Sequence, residues 1–464
     1  MTAIPIAFQT NTGKYNFEGE AQLINCYAEQ RGNDAKAPMS VLPSEGLVEF
    51  SDTGAVNCRG MIYMPDLDCI YTVQNSSVYK IVEAGTDTLI GTVPGTDQVQ
   101  MSRNQNVAPE VVIQTAAGIL VLQSDAVSYF VSSDVSGAIS ADFIGGYHAY
   151  LLADRTWFIS GIDDATSIDA LDFAAFEQKA GMGVRIQGDR GEVFGFCDTY
   201  SEVWRDTGNA DFPFEPLEFI QRGLKAKNGV VSLDNTLIFP GDDGIFYKLN
   251  GYTPQRVSTH AIERTLQADT GAANLVGFGW SREGHAFANF SGTDWSRCYD
   301  AATGVWHSRE TYNQDRWRAR HAVRAWGKTI VGDSITGKLF YLDEDTFTED
   351  GGTMVWGVDF PPMHAFPQGG TVDAVHFDLA TGYGTVSGQG VDPKVMLWTS
   401  TDGGNEFTQY RELSIGARGD HGLRVTARKL GRFGPKGIVF RLRISDPVVR
   451  ALVAADVSVK PLQL

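Results

Sequence analysis

The side chains able to do chemistry in this 464-residue chain are paired carboxylates, single histidines and two basic clusters. The carboxylates are Asp163-Asp164, Asp242-Asp243, and Asp343 with Asp345. Glycoside hydrolysis needs two carboxyl groups facing each other across a pocket, one kept protonated by burial. Each of these pairs lies in polar turn sequence, where Asp is favoured because its side chain bonds nearby backbone amides. Solvated turns are therefore expected. Calcium at Asp343, Asp345 and Asp350 lacks the EF-hand spacing. Ser400-Thr401-Asp402-Gly403-Gly404-Asn405-Glu406-Phe407 fits an Asp-box pattern, a hairpin whose Asp bonds its own turn amides while the aromatic plugs the core. The eight histidines are scattered singly. No HExxH, GxSxG, phosphate loop or dinucleotide fingerprint occurs. No catalytic residue, metal site or cofactor is expected.

The basic clusters point to binding. Arg316, Arg318, Arg320, Arg324 and Lys328 surround Trp317 and Trp326. Between Arg411 and Arg443 there are nine Lys and Arg, with only Glu412 and Asp420 among them. One reading is a solvated sheet face; the other is contact with an acidic surface or with phosphate. The acidic remainder of the chain is itself such a surface, allowing head-to-tail subunit contacts in a ring. Trp204, Phe212, Phe214 and Phe219 bracket Pro213 and Pro216 in an apolar loop, either packed on its own sheet or anchoring a neighbour. The candidate partner or subunit contacts are Arg316, Trp317, Arg318, Arg320, Trp204, Phe212, Phe214, Arg424, Arg428, Arg441 and Arg443.

These residues must be positioned by β-structure. From Gly191 to Leu266, short apolar strands alternate with Asp-Thr-Gly, Asp-Asn, Asp-Asp-Gly and Asn-Gly turns, a meander signal with a mechanism in positive φ. Thr259 is placed to cap a short helix over Ile262 and Leu266. Similar units recur at Cys58 to Val93, Val99 to Val131, Ala141 to Glu177, Gly277 to Glu310 and Ala319 to Phe347. A repeat of ~40 residues is that of propeller blades. Tyr63, Cys69 to Tyr71, Ile119 to Leu122, Ala149 to Leu152, Leu237 to Phe239, His285 to Phe290 and Thr329 to Val331 read as the equivalent inner strands. Leu47 to Phe50 is a candidate to complete the last blade. After Gly351 the strands alternate as in a sandwich. Ile438, Phe440, Leu442 and Ile444 share one face there; Val439, Arg441 and Arg443 share the other. The fold expected is all-β: a six- or seven-bladed β-propeller (57–350), an N-terminal extension partly closing it (1–56), and an antiparallel β-sandwich (351–464).

Bulk charge supports that boundary. Residues 351–464 hold 12 basic and 10 acidic residues, and residues 1–350 hold 26 basic and 46 acidic, a net of +2 against −20. The total of −18 argues against a general nucleic-acid binder. Five scattered cysteines without a CxxC imply free thiols. No signal peptide and no membrane span are expected.

Three stretches carry a resemblance. These are LINCYAEQ with VLPSEGL and RGMIY near the start, VFGFCDTYSEVWRDTG through IFYKLNGYTPQRVSTHAIE in the middle, and MLWTSTDGGNEFTQYREL through GIVFRLRISDPV near the end. In that order they resemble the tail accessory factor, or packaged DNA stabilisation protein, of short-tailed bacteriophages. The resemblance implies a non-enzymatic virion protein, assembled in the host cytoplasm into a homo-hexameric nozzle below the portal and its adaptor. Its implied partners are the adaptor protein, a tail needle or plug, a tailspike or fibre, and double-stranded DNA passing without sequence-specific contact. An acidic wall would repel phosphate during ejection. The competing reading is a carbohydrate-active propeller enzyme of sialidase or depolymerase type, suggested by the Asp box.

Overall fold

The computed structural model describes residues 2–32, 36–130, 132–209 and 211–461. Turn chemistry sets the local structure. Asp234 and Asn235 take φ of 53° and 56° between Val231–Leu233 and Thr236–Pro240. Two successive positive φ values match a tight turn to the right-handed twist of the flanking strands.

Five antiparallel four-stranded sheets follow one another from Cys58–Met64 to Thr253–Arg256. A sixth runs from Val276–Arg282 to Val305–Ser308. A seventh takes Ala319–Ala325, Lys328–Asp333 and Lys338–Asp343, with Gly46–Asp52 as its fourth strand. Among the described residues the propeller has seven blades. Tyr341 pairs with Val48 and Leu339 with Ser51, so the ring is closed by a strand from the far end of the chain. Closure leaves no open edge at that seam.

The first strand of each blade lies innermost, and Ala319–Ala325 packs beside Cys58–Met64 to complete the circle. This corrects the expected inner strands. Cys69 to Tyr71, Ala149 to Leu152, Leu237 to Phe239, His285 to Phe290 and Thr329 to Val331 fall on second strands, and Ile119 to Leu122 on a third; of those named, only Tyr63 is innermost. Middle strands are covered on both faces by neighbouring blades, so they read as continuous apolar runs. Innermost strands face the axis and carry polar residues such as Gln100, Arg185, Gln187 and Arg320.

The expected helix is His260–Ala268, and it packs Ile262 and Leu266 against Phe246, Phe290 and Trp306. Thr259 occupies the N-cap position without a side-chain cap bond. Glu263 instead accepts from Ser258 Oγ at 2.8 Å.

Residues 1–56 divide between the two bodies. Among the described residues, Gly46–Asp52 supplies a blade strand to the propeller. Cys26–Gln30 and Met39–Pro43 enter one sandwich sheet beside Leu452–Pro461, and Glu20–Ile24 enters the other beside Trp356–Asp359. Glu20–Ile24 also pairs in parallel with the last strand of blade six, through Ile24 and Ser308. Propeller and sandwich therefore share one continuous sheet. The sandwich core combines Ile4, Leu23 and Val41 with Trp356, Phe360, Phe440 and Leu442. Ile438, Phe440, Leu442 and Ile444 are all buried, as their alternation predicts.

Candidate interaction surfaces and the propeller channel

Most of the expected contact residues are engaged inside the chain. Trp317 is fully buried and donates Nε1–H to Glu349 at 2.9 Å. Beneath it, the Arg309 guanidinium lies 3.9 Å from the Trp317 ring centre and donates to Glu45 at 3.0 Å. Burial pushes the Glu45 carboxyl up, but Arg309 and Arg282 outweigh it and hold it below the ordinary range. Arg318 is paired with Asp333, with Nε 3.1 Å from Oδ1. Arg316 donates to the Gly292 carbonyl at 3.3 Å. Arg441 and Arg443 both bind Asp359, at 3.0 and 2.5 Å, across the strand pair Trp356–Asp359 and Val439–Ile444. A carboxylate buried between two arginines uses them as its counter-ions.

The aromatic loop is packed on its own blades. Trp204 and Phe214 are buried with Trp157, and Phe212 sits half-buried with its ring centre 5.4 Å from that of Trp157. Arg424 and Arg428 are different. Both are exposed, and among the described residues neither has a carboxylate within 4.0 Å. Arg418, Lys429, Arg432 and Lys436 are exposed in the same segment. Sequence reasoning missed a second surface on blade three, whose outer strand is the long Asp164–Ala175. It presents Leu171 and Phe173, 82% and 50% exposed, two residues apart and hence on one face, with Asp169 beside them. The only sequence signal was the length of that segment.

The paired carboxylates are held in turns. Asp242 accepts from the Gly223 amide at 3.0 Å, and Asp243 from the Tyr247 hydroxyl at 2.7 Å. Asp163 accepts from the Gln105 amide at 3.2 Å. Asp343 accepts from Thr346 at 2.5 Å, while Asp350 binds Lys338 at 2.8 Å, so Asp343, Asp345 and Asp350 do not converge. In the Asp box, Asp402 accepts from Ser400 Oγ at 2.6 Å and from the amides of Asn405 and Glu406 at 3.0 and 3.1 Å. The aromatic departs from expectation. Phe407 does not plug the core but lies half-buried under the Arg441 guanidinium, 3.8 Å from it. The five cysteines are free and buried, and burial pushes the Cys58 and Cys197 thiols up to about 11.

Arg320 belongs to none of these surfaces; it faces the propeller axis. Where the first strands begin, the channel opens into a cavity of about 590 Å³. Its lining includes Asn57, Asp97, Gln98, Gln114, Lys227 and Arg320. Lys227, just before the first strand of blade five, reaches Gln114 in blade two. Arg185 Nη1 donates to the Lys227 carbonyl at 2.9 Å, and its Nε to Gln187 at 3.0 Å. Gln187 in turn donates to Asp142 at 2.7 Å. Arg320 donates to Asn57 at 3.3 Å, and to the Gln98 oxygen at 3.2 Å with the amide turned so that its nitrogen serves His321. Burial pushes Lys227 down to about 8, with Arg185 adding and Asp97 opposing. Burial likewise lowers Arg320 to about 10 and His321 to about 4. Arg185 and Lys227 were not singled out from sequence; the signal available was basic residues on or next to polar innermost strands.

Comparison with known proteins gives two family matches. The model described as bacteriophage P22 Gp10, beta-propeller, matches residues 4–347, and that described as bacteriophage P22 Gp10, beta-sandwich, matches residues 356–460. A search of curated proteins gave no match. Among solved structures, BamB from Moraxella catarrhalis is similar at 11% identity and a TM-score of 0.40, over 65% of this chain and 97% of that one. At that score the likeness carries no argument.

Proposed function

The chain belongs to the bacteriophage P22 Gp10 family, a family of structural phage tail proteins, and from that membership we propose that six copies form the tail nozzle of a short-tailed phage. The nozzle prolongs the DNA channel below the portal and adaptor, retains packaged DNA, and docks the tail needle and tailspikes. The observation carrying this reading is the pair of matches, in order, over nearly the whole chain. Two physical features support it. The sheet shared by propeller and sandwich ties the two bodies into one subunit, as a wall requires. Charge is divided along the chain: residues 1–350 carry a net of −20, while the sandwich exposes Arg424 and Arg428 with no carboxylate within 4.0 Å among the described residues. Such charges favour heterologous contacts that close a ring. The acidic excess also suits a DNA conduit, because like charge keeps phosphate from sticking.

The conduit in this reading is the bore of the assembled ring. It is not the axis of one propeller, where Lys227 bridges to Gln114; even one DNA groove is about 12 Å wide. The test is native mass spectrometry of the purified chain mixed with portal–adaptor complexes. Six bound copies per complex are expected, and absence of binding would remove the proposal.

A further inference from the structure

We propose that the mouth of the propeller channel binds a small oxyanion of the phosphate or sulfate class, held by Lys227 and Arg320 with Arg185 behind them. This site is independent of the nozzle reading. Lys227, Arg320 and Arg185 are half-buried, and cations partly withdrawn from water are ordinarily paired, because desolvating an unpaired ion is costly. Here two cations, Lys227 and Arg320, line one cavity, Arg185 lies behind them against the Lys227 carbonyl, and among the described residues none of the three has a carboxylate within 4.0 Å. Their protein partners are neutral: Gln114 for Lys227, Asn57 and Gln98 for Arg320, Gln187 and the Lys227 carbonyl for Arg185. Asp97 lines the same mouth but is exposed, and Asp142 is taken by Gln187 and the Gly188 amide.

The donors are also held in place. Gln114 Nε2 donates to the carbonyls of Thr115 and Ala138, at 2.7 and 3.2 Å, which fixes its oxygen toward Lys227. Ordered donors around a preformed cavity lower the cost of binding. About 590 Å³ lies in the range of small-molecule sites, and is too small for a duplex. A bound anion would raise the affinity of Lys227 for a proton, against the lowering that burial imposes.

Isothermal titration of the full chain with sodium sulfate, and separately with inorganic phosphate, tests the site. One saturable site is expected. Lys227→Gln and Arg320→Gln should each weaken it about tenfold or more, the range for a charged hydrogen bond. Lys225→Gln, two residues away and exposed, should leave it unchanged. Sulfate does not titrate near neutrality, so its affinity should fall as pH rises through about 8, where Lys227 loses its proton against Arg185 and Asp97. Absence of saturation, or equal weakening in Lys225→Gln and Lys227→Gln, overturns the proposal. Should the two site variants fail to fold, the titration midpoint of Lys227 in the methyl-labelled chain decides. A rise with sulfate supports the site, and no change overturns it. Displacement of sulfate by a short DNA duplex overturns the assignment to a small anion.

Discussion

His307 is buried between Tyr27 and Phe287, and its Nδ1 has no hydrogen-bond partner. Burial lowers its proton affinity to about pH 3, with Arg309 adding; burial does the same to His148. The unfolded chain takes up protons near the ordinary value of about 6.5, whereas the folded chain resists until about pH 3. Below about 6.5 the unfolded state therefore binds more protons, and stability falls with acidification across that window. Each histidine should cost about 2 kcal/mol by pH 5. Denaturant titrations of His307→Leu between pH 7 and pH 5 should show a shallower pH dependence than the parent; an identical slope would remove His307 as a source. Arg450 makes the opposite case, a buried cation satisfied by backbone alone. It donates to the carbonyls of Phe347, Met354 and Ile444 at 2.6, 2.7 and 3.4 Å, pinning the propeller–sandwich linker. Arg450→Met should destabilise the chain by about 3 kcal/mol or more, because it orphans several acceptors at once. Limited proteolysis should find new cleavage between Phe347 and Met354.

Among the elements, Gly46–Asp52 carries the most consequence for its length. It completes blade seven against Lys338–Asp343, and on its other side Leu47 pairs with Glu349. Val48→Pro removes an amide donor from a strand paired on both sides, at a cost of about 2 kcal/mol or more. Hydrogen exchange should then accelerate in Lys338–Asp343 and in Cys58–Met64, the two sides of the seam, and much less in blades three and four. Uniform acceleration would mean that the seam is no weaker than the rest. The closing role of this strand was legible because Leu47 to Phe50 stood alone as an apolar strand before the repeats began. The order of strands within a blade was not, since apolarity reports burial on two faces and not distance from the axis.

For the whole molecule, the separation of charge makes assembly a matter of ionic strength. Reversing Arg424 and Arg428 together to Glu should reduce binding to portal–adaptor complexes by tenfold or more, in line with charge-reversed interface pairs. It should leave folding unchanged, because both side chains are exposed and unpaired. Sedimentation in low and high salt checks this: the parent should assemble less as salt rises, and the variant should be nearly insensitive. Of the sequence candidates, these two stand on the outer surface and Arg320 faces the propeller axis, while Trp317, Arg318, Arg441 and Arg443 are consumed by buried acids. Sequence could not separate the two groups, since the acids concerned, Glu349, Asp333 and Asp359, arrive from other strands.

The sequence by itself determined the all-β class, the blade repeat, the hairpin turns, the buried face of Val439–Ile444 and the family, because each is written in neighbouring residues or in ordered motifs. Tertiary structure alone decided that Glu20–Ile24, Cys26–Gln30 and Met39–Pro43 enter the sandwich sheets, that one sheet joins the two bodies, and that Lys227 and Arg320 line one cavity at the axis with Arg185 behind them. Those facts depend on pairings between distant parts of the chain, for which local periodicity carries no signal.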